Sequence, residues 1–350
     1  MLRIVTSFAT LLLVLGSSGP SRAESSDPRV PLVEQHLGRD LQGALTALDA
    51  EIAADPQRAR ALGLLYLRGH LLLRLDRRVE ALQAFADSMV ATPSLAPWAR
   101  LRLADEQAAA DHPEVAAGLV ATLLGANPPR SLIPPAIELL EQTLADGGDC
   151  RLLRGLGRLR LATAERRRLD LARALCAERA GEIDAARQRL LTLLDEDTRD
   201  DVAQRAAERL APVVEAGAAP GMAGARPALL VGLAFHHHRE FEIAIRHLAH
   251  ALVRRPATRD LTRREAYELR YELARGYFWL GRYLDAAKAF GALAAETRDP
   301  ELRARALYQR ARCFELSGDE RWDQASTAFT EVVAAEPKGG WASAARIARV

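Results

Sequence analysis

The chain has 350 residues, of which 49% are hydrophobic but only 5% aromatic, and its formal net charge is +2. Its abundant alanine, leucine, arginine and glutamate favour helices. No run shows the alternation typical of a half-buried strand. We therefore predict an all-α protein, and the near-zero net charge argues against a nucleic-acid-binding protein.

The first 23 residues have the features of a secretory signal peptide. A basic residue, Arg3, precedes a short apolar run from Phe8 to Gly16, and the small residues Ser21 and Ala23 follow. The run is too short for a transmembrane helix. We expect cleavage near Ala23, a periplasmic or secreted mature chain, and no later transmembrane segment.

One sequence pattern recurs along the chain. It consists of an alanine, a larger apolar residue four positions later, and a proline twelve positions after the alanine. It occurs at Ala44-Leu48-Pro56, Ala81-Phe85-Pro93, Ala116-Val120-Pro128, Ala244-Leu248-Pro256 and Ala325-Phe329-Pro337, and at Ala286-Phe290 with Pro300 two residues late. A period of this kind predicts repeated helices that each end at a proline.

The first helix of each repeat, which precedes this pattern, has a residue pattern of its own. Small residues that allow close helix approach (Gly69, Gly232, Ala274) are followed three positions later by bulky ones (Leu72, Phe235, Tyr277), and Gly181 and Gly281 end this first helix. The packing set that we predict is Ala81, Phe85, Gly232, Phe235, Ala244, Ala274, Tyr277, Gly281, Ala286, Phe290, Ala325 and Phe329.

These spacings resemble those of the tetratricopeptide repeat (TPR) family. The best match is "ELRYELARGYFWLGRYLDAAKAF", residues 268–290. The resemblance implies a superhelical solenoid of antiparallel helix pairs whose concave face binds a protein or peptide. We expect degenerate repeats over 28–210, a linker or long loop over 211–227, and better repeats with a terminal helix over 228–350.

Three cysteines, Cys150, Cys176 and Cys313, allow at most one disulfide within the chain. We favour small buried hydrophobic groups for all three. Cys150 and Cys176 are the only pair close enough in sequence to consider, and the residues leave their pairing open.

The segment "VGLAFHHHREFEIAIRHLAH", residues 231–250, holds five of the eight histidines. Successive helical residues point about 100° apart, so His236, His237 and His238 do not converge on one ion. His247 and His250 share a helix face, which is half a metal site at most. We expect scaffold histidines and no metal or cofactor site, with contact to a ligand left open.

The arginine run over residues 151–173 is the strongest local charge feature. It is suited to phosphate or carboxylate groups, but the acidic residues around it favour an ion-paired helix face. Nucleophile and phosphate-loop motifs are missing from the sequence, so we predict no catalytic residue.

Two functions agree with these features. The first is a non-catalytic exported scaffold that binds a protein or peptide in the cell envelope. The second is suggested by a resemblance to the N-terminal superhelix of soluble lytic transglycosylases, which cleave peptidoglycan. That family's catalytic Glu-Ser motif is missing from this chain, and the enzyme reading gains weight only if the gene continues beyond residue 350.

Overall fold

The structure is a computed structural model and describes residues 40–157, 159–217, 222, 224–253 and 261–348. Every regular element in these ranges is helical, which confirms the predicted all-α class. None of the described helices combines the length and apolar character of a membrane-spanning segment. The predicted signal peptide, residues 1–23, lies outside the described residues.

The chain divides into two compact units, and the first ends at Ala99. Over residues 40–95 its helices are α1 (Leu41–Ala54), α2 (Pro56–Ala61), α3 (Leu64–Arg74) and α4 (Arg78–Ala91). Phe85 is fully buried at the centre of its core, between Leu72 and Tyr66. The helix boundaries follow local chemistry, since Asp55 ends α1 and caps α2, where Pro56 needs no amide partner.

The second unit, from Arg100 onward, contains most of the chain. Helix α5 begins before the unit boundary, and the helices from there on are α5 (Ala96–Ala109), α6 (Pro113–Gly125), α7 (Ile133–Ala145), α8 (Thr163–Arg179), α9 (Ile183–Glu196), α10 (Asp201–Ala216), α11 (Ala225–His237), α12 (Phe241–Val253), α13 (Arg263–Trp279), α14 (Tyr283–Glu296), α15 (Pro300–Leu316), α16 (Trp322–Ala335) and α17 (Gly340–Ala348). From α8 onward each helix packs against the next one in the chain. This unit is therefore a helical solenoid.

Glycines bring the two helices of a pair into close contact. A Cβ on Gly232 of α11 would lie 2.7 Å from Leu248 of α12. In the first unit, a Cβ on Gly69 would lie 2.7 Å from the ring of Phe85. Only a residue without a side chain fits at these two contacts.

The turns inside the pairs use the left-handed backbone conformation. Gly181 and Gly281 have φ angles of +79° and +73° and follow the ends of α8 and α13, as predicted. The same position is held by Arg239 after α11, with φ +66°. A residue with a Cβ is strained there.

The predicted linker, 211–227, is shorter in the structure. Helix α10 continues to Ala216 with Pro212 inside it, and α11 starts at Ala225. Met222, between them, is buried in a hydrophobic cluster that draws on helices from both sides. The glycine, alanine and proline content suggested an open loop because composition does not reveal that α10 is an additional helix between two pairs.

The cysteine interpretation is wrong for two of the three residues. Cys150 and Cys176 form a disulfide with Cα atoms 5.7 Å apart, whereas Cys313 is free and buried. Cys150 begins a 3-10 helix, Cys150–Leu156, that lies between α7 and α8 in the chain and packs against α6 and α8. The bridge ties this short segment to α8.

Candidate functional site

Most of the predicted packing residues lie in the cores. Ala81, Phe85, Gly232, Phe235, Ala244, Ala274, Ala286, Phe290, Ala325 and Phe329 are buried, Tyr277 is half-buried, and Gly281 is exposed in its turn. In each second helix, the small alanine leaves space for the larger apolar residue four positions later. These residues position the helices and leave the other faces of the pairs for binding.

Two of the clustered histidines are core residues. His236 is buried with its Nε2 3.4 Å from a Glu272 carboxylate oxygen. Burial, aided by the positive charge of Arg275, lowers its pKa to about 4. His247 is fully buried against the ring of Phe235, and burial lowers its pKa as well. Both are neutral at physiological pH and contribute to packing.

The other two histidines of the His236–His238 triplet form hydrogen bonds with the turn between α9 and α10. His237 Nδ1 lies 2.9 Å from the Thr198 hydroxyl, and His238 Nε2 lies 3.0 Å from the Asp200 carbonyl oxygen. Within the described ranges, no three histidine, cysteine or carboxylate groups gather in a way that would hold a metal ion. The histidine segment therefore joins α11 to the α9–α10 turn.

Arg167 is the residue at the centre of the arginine run. Its side chain is 3% exposed, and its five N–H groups meet the carboxylates of Asp200 and Glu196 and the carbonyl oxygens of Leu193 and Asp197. These carbonyls end α9, and Asp200 also caps α10 by accepting from Ala203 at 2.8 Å. The sequence pointed to an ion-paired face but did not single out this buried residue.

A row of charged side chains crosses the first helices of the last repeats. We call it the charged strip, and its members are Arg226 of α11, Glu265, Glu268 and Arg275 of α13, and Arg305 and Arg312 of α15. Their side chains are between 24% and 39% exposed. On α13 the spacing of three, four and three through the buried Glu272 keeps these groups on one helix face.

Local structure fixes the direction of each charge in the strip. Glu265 belongs to a capping box with Thr262, whose amide donates to it at 2.8 Å. Arg226 pairs with Glu265 on the neighbouring helix. Arg305 pairs with Glu268 at 3.1 Å and covers the ring of Tyr271 at 3.7 Å.

The strip changes sign from one helix to the next, with Arg226 on α11, Glu265 and Glu268 on α13, and Arg305 on α15. Arg275 pairs with the buried Glu272 at 2.9 Å, and burial raises the pKa of that carboxyl group. At the other end, Arg312 pairs with Glu315 at 2.6 Å. Partly exposed, oriented charges of both signs can bond the backbone and side chains of a polar partner without attracting one sign of charge alone.

The fold defines a class, the helical-repeat proteins built of paired helices. No known family and no curated protein matches the chain. Among solved structures, it is similar to the crystal structure of the TPR domain of P58(IPK), with 16% identity, a TM-score of 0.24, and coverage of 91% of this chain and 86% of that one. It is also similar to Naa15/Naa10 bound to HypK-THB, with 14% identity, a TM-score of 0.35, and coverage of 89% and 53%. Both TM-scores are low, and the solenoid is defined by the chain's own helix packing.

Proposed function

We propose that the protein is a non-catalytic scaffold that binds a protein or peptide through the charged strip. The observation that carries this proposal is the row of partly exposed charges of both signs on α11, α13 and α15. The TPR resemblance implies a concave binding face, and we assign this row to it. The strip is oriented by capping and ion pairs, so little side-chain freedom is lost when a partner binds.

We further propose that this scaffold works in the cell envelope, as an exported protein. Two features support this setting. The chain starts with a predicted signal peptide, and Cys150 and Cys176 form a disulfide. Disulfides persist in oxidising compartments and are rare in the cytosol.

A photo-crosslinking experiment tests the binding proposal. A photoreactive amino acid replaces Gln309, which lies between Arg305 and Arg312 on α15, in the full chain produced in its source cells. The matched control replaces Lys288, an exposed residue of α14. We expect a discrete protein adduct from position 309 and not from position 288. Equal adducts from both positions, or none from position 309, would contradict the proposal.

A second assay tests the absence of catalysis. The purified chain is incubated with murein, and the released glycan fragments are measured. We expect the amount released to match a blank without protein. Release that grows with protein concentration would favour the peptidoglycan-cleaving alternative over the scaffold.

A further inference from the structure

A pocket of about 380 Å³ lies beside the disulfide, away from the charged strip. Its volume falls in the range of about 300–1,000 Å³ that is usual for small-molecule sites. The apolar part of its lining, which we call the pocket floor, comprises Leu153, Ala177, Ala180 and the two bridged cysteines. The polar part of its lining is what distinguishes it.

The charges around this pocket do not balance. Three arginines, Arg154, Arg173 and Arg189, line it against a single carboxylate, Glu182. Glu182 forms no ion pair within 4 Å among the described residues. The lining therefore has an excess of two positive charges.

The arginines of the pocket differ from the others in the same part of the chain. Arg166, Arg167 and Arg168 each have carboxylate partners within 3.1 Å. The guanidinium groups of Arg154 and Arg189, by contrast, form no ion pair or hydrogen bond with any described residue. The positive charge of Arg154 helps to lower the pKa of Asp149, but it is the smallest of the causes of that shift.

The third arginine is only partly neutralised. Arg173 bonds to Asp170 at 2.8 Å, but that carboxylate also pairs with Arg166 at 3.4 Å. One negative charge is thus shared between two guanidinium groups. Guanidinium groups bind planar oxyanions with two hydrogen bonds each, and are weakly hydrated for a cation.

The walls of the pocket are held in place before any ligand binds. The disulfide ties the 3-10 helix that carries Arg154 to α8, which carries Arg173. Arg179 adds a clamp, donating to the Gly148 carbonyl oxygen and the Cys150 sulfur, each at 2.6 Å. A preorganised pocket loses little binding energy to ordering.

We propose that this pocket binds an oxyanion, a carboxylate or a phosphate group, on a molecule whose apolar part rests on the pocket floor. Arg154 and Arg189 supply the unpaired charges and Arg173 the third contact. The disulfide side of the pocket receives the apolar part. The site is separate from the charged strip, and either can fail without the other.

Isothermal titration of the full, oxidised chain at low salt tests this proposal. The probes are 3-phenylpropionate, phenyl phosphate and the uncharged 3-phenylpropionamide. We expect saturable binding of at least one of the two anions and none of the amide. The anion that binds more tightly shows whether the pocket prefers a carboxylate or a phosphate group. Equal binding of the amide, or no saturable binding of either anion, would overturn the proposal.

Variants locate the binding within the protein. Arg154→Ala and Arg189→Ala should each weaken anion binding about tenfold, the loss of one charge-assisted hydrogen bond. Both residues are exposed, so the fold should tolerate the change. The matched control is Arg303→Ala, an exposed arginine of α15 outside the pocket, which should bind as the parent does. Equal weakening in all three variants, or none in the two pocket variants, would refute the assignment.

Discussion

Removal of the Cys150–Cys176 disulfide should strongly loosen the region around α8. The bridge joins residues 26 positions apart, and the chain-entropy relation for a loop of this length gives about 3.5 kcal/mol. The affected elements are the 3-10 helix Cys150–Leu156, which is also held by the buried side chains of Leu153 and Leu156, and the α8 segment that faces it. The variant to compare with the parent is Cys150→Ser with Cys176→Ser.

Hydrogen exchange measured by peptide mass is the suitable assay, because repeat arrays need not unfold in one step. Amides in the 3-10 helix and the facing part of α8 should exchange up to about 400-fold faster in the variant, the equivalent of that energy. Adding a reductant should speed exchange in the parent but leave the double variant unchanged. Unchanged exchange in the reduced parent, or three free thiols in the denatured, unreduced protein, would refute the reasoning.

Three further changes follow from the structure. Arg239→Gly should stabilise the protein by about 1 kcal/mol in urea unfolding, because it removes a side chain from a left-handed position. Gly232→Ala should destabilise it by about 1–3 kcal/mol, since the new methyl group would meet Leu248 at 2.7 Å. His236 is held neutral in the fold, where its pKa is about 4, against 6.5 in the unfolded chain. Its contribution to the free energy of unfolding, about 3 kcal/mol, should therefore be present above pH 6.5 and be lost as the pH falls to 4. The buried Glu272, whose pKa is raised, opposes this trend, so the comparison is with His236→Gln.

Matched controls accompany these three changes. Arg239→Lys keeps the strain and the charge and should leave the free energy of unfolding unchanged. Gly118→Ala, where the new Cβ meets no atom within 4 Å, should stabilise α6 by about 1 kcal/mol. Equal destabilisation by both alanine substitutions, or an identical pH dependence in the parent and His236→Gln, would show that the packing or the burial is misassigned.

Much of the repeat architecture could be predicted because it is local. The spacing from Ala286 to Phe290, and from Gly281 to Ala286, sits within one helix pair, and helical periodicity reports it directly. The segment from Gly318 to Ala325 is two residues longer than the matching segment from Gly281 to Ala286. The extra residues before Ala325 coincide with a short 3-10 helix, Asp319–Arg321.

The features that could not be predicted depend on contacts between segments distant in sequence. The disulfide forms because the 3-10 helix that carries Cys150 folds back on α8. The repeat period of the sequence does not predict this contact. Arg167 looks like its exposed neighbours, and only the approach of the α9–α10 turn buries it. Likewise, the imidazoles of His236 and His237 are adjacent in the chain, yet only that of His236 enters the core.

The central claim is that the charged strip binds a partner, and exchanging one of its ion pairs tests this most directly. Glu268→Arg with Arg305→Glu keeps a neutral pair between α13 and α15 but reverses its direction, while each single change sets like charges side by side. A merely structural pair would be rescued by the exchange. We expect the exchanged protein to fold, by circular dichroism, while the adduct from position 309 falls at least about tenfold. An undiminished adduct in the folded, exchanged protein would contradict the account.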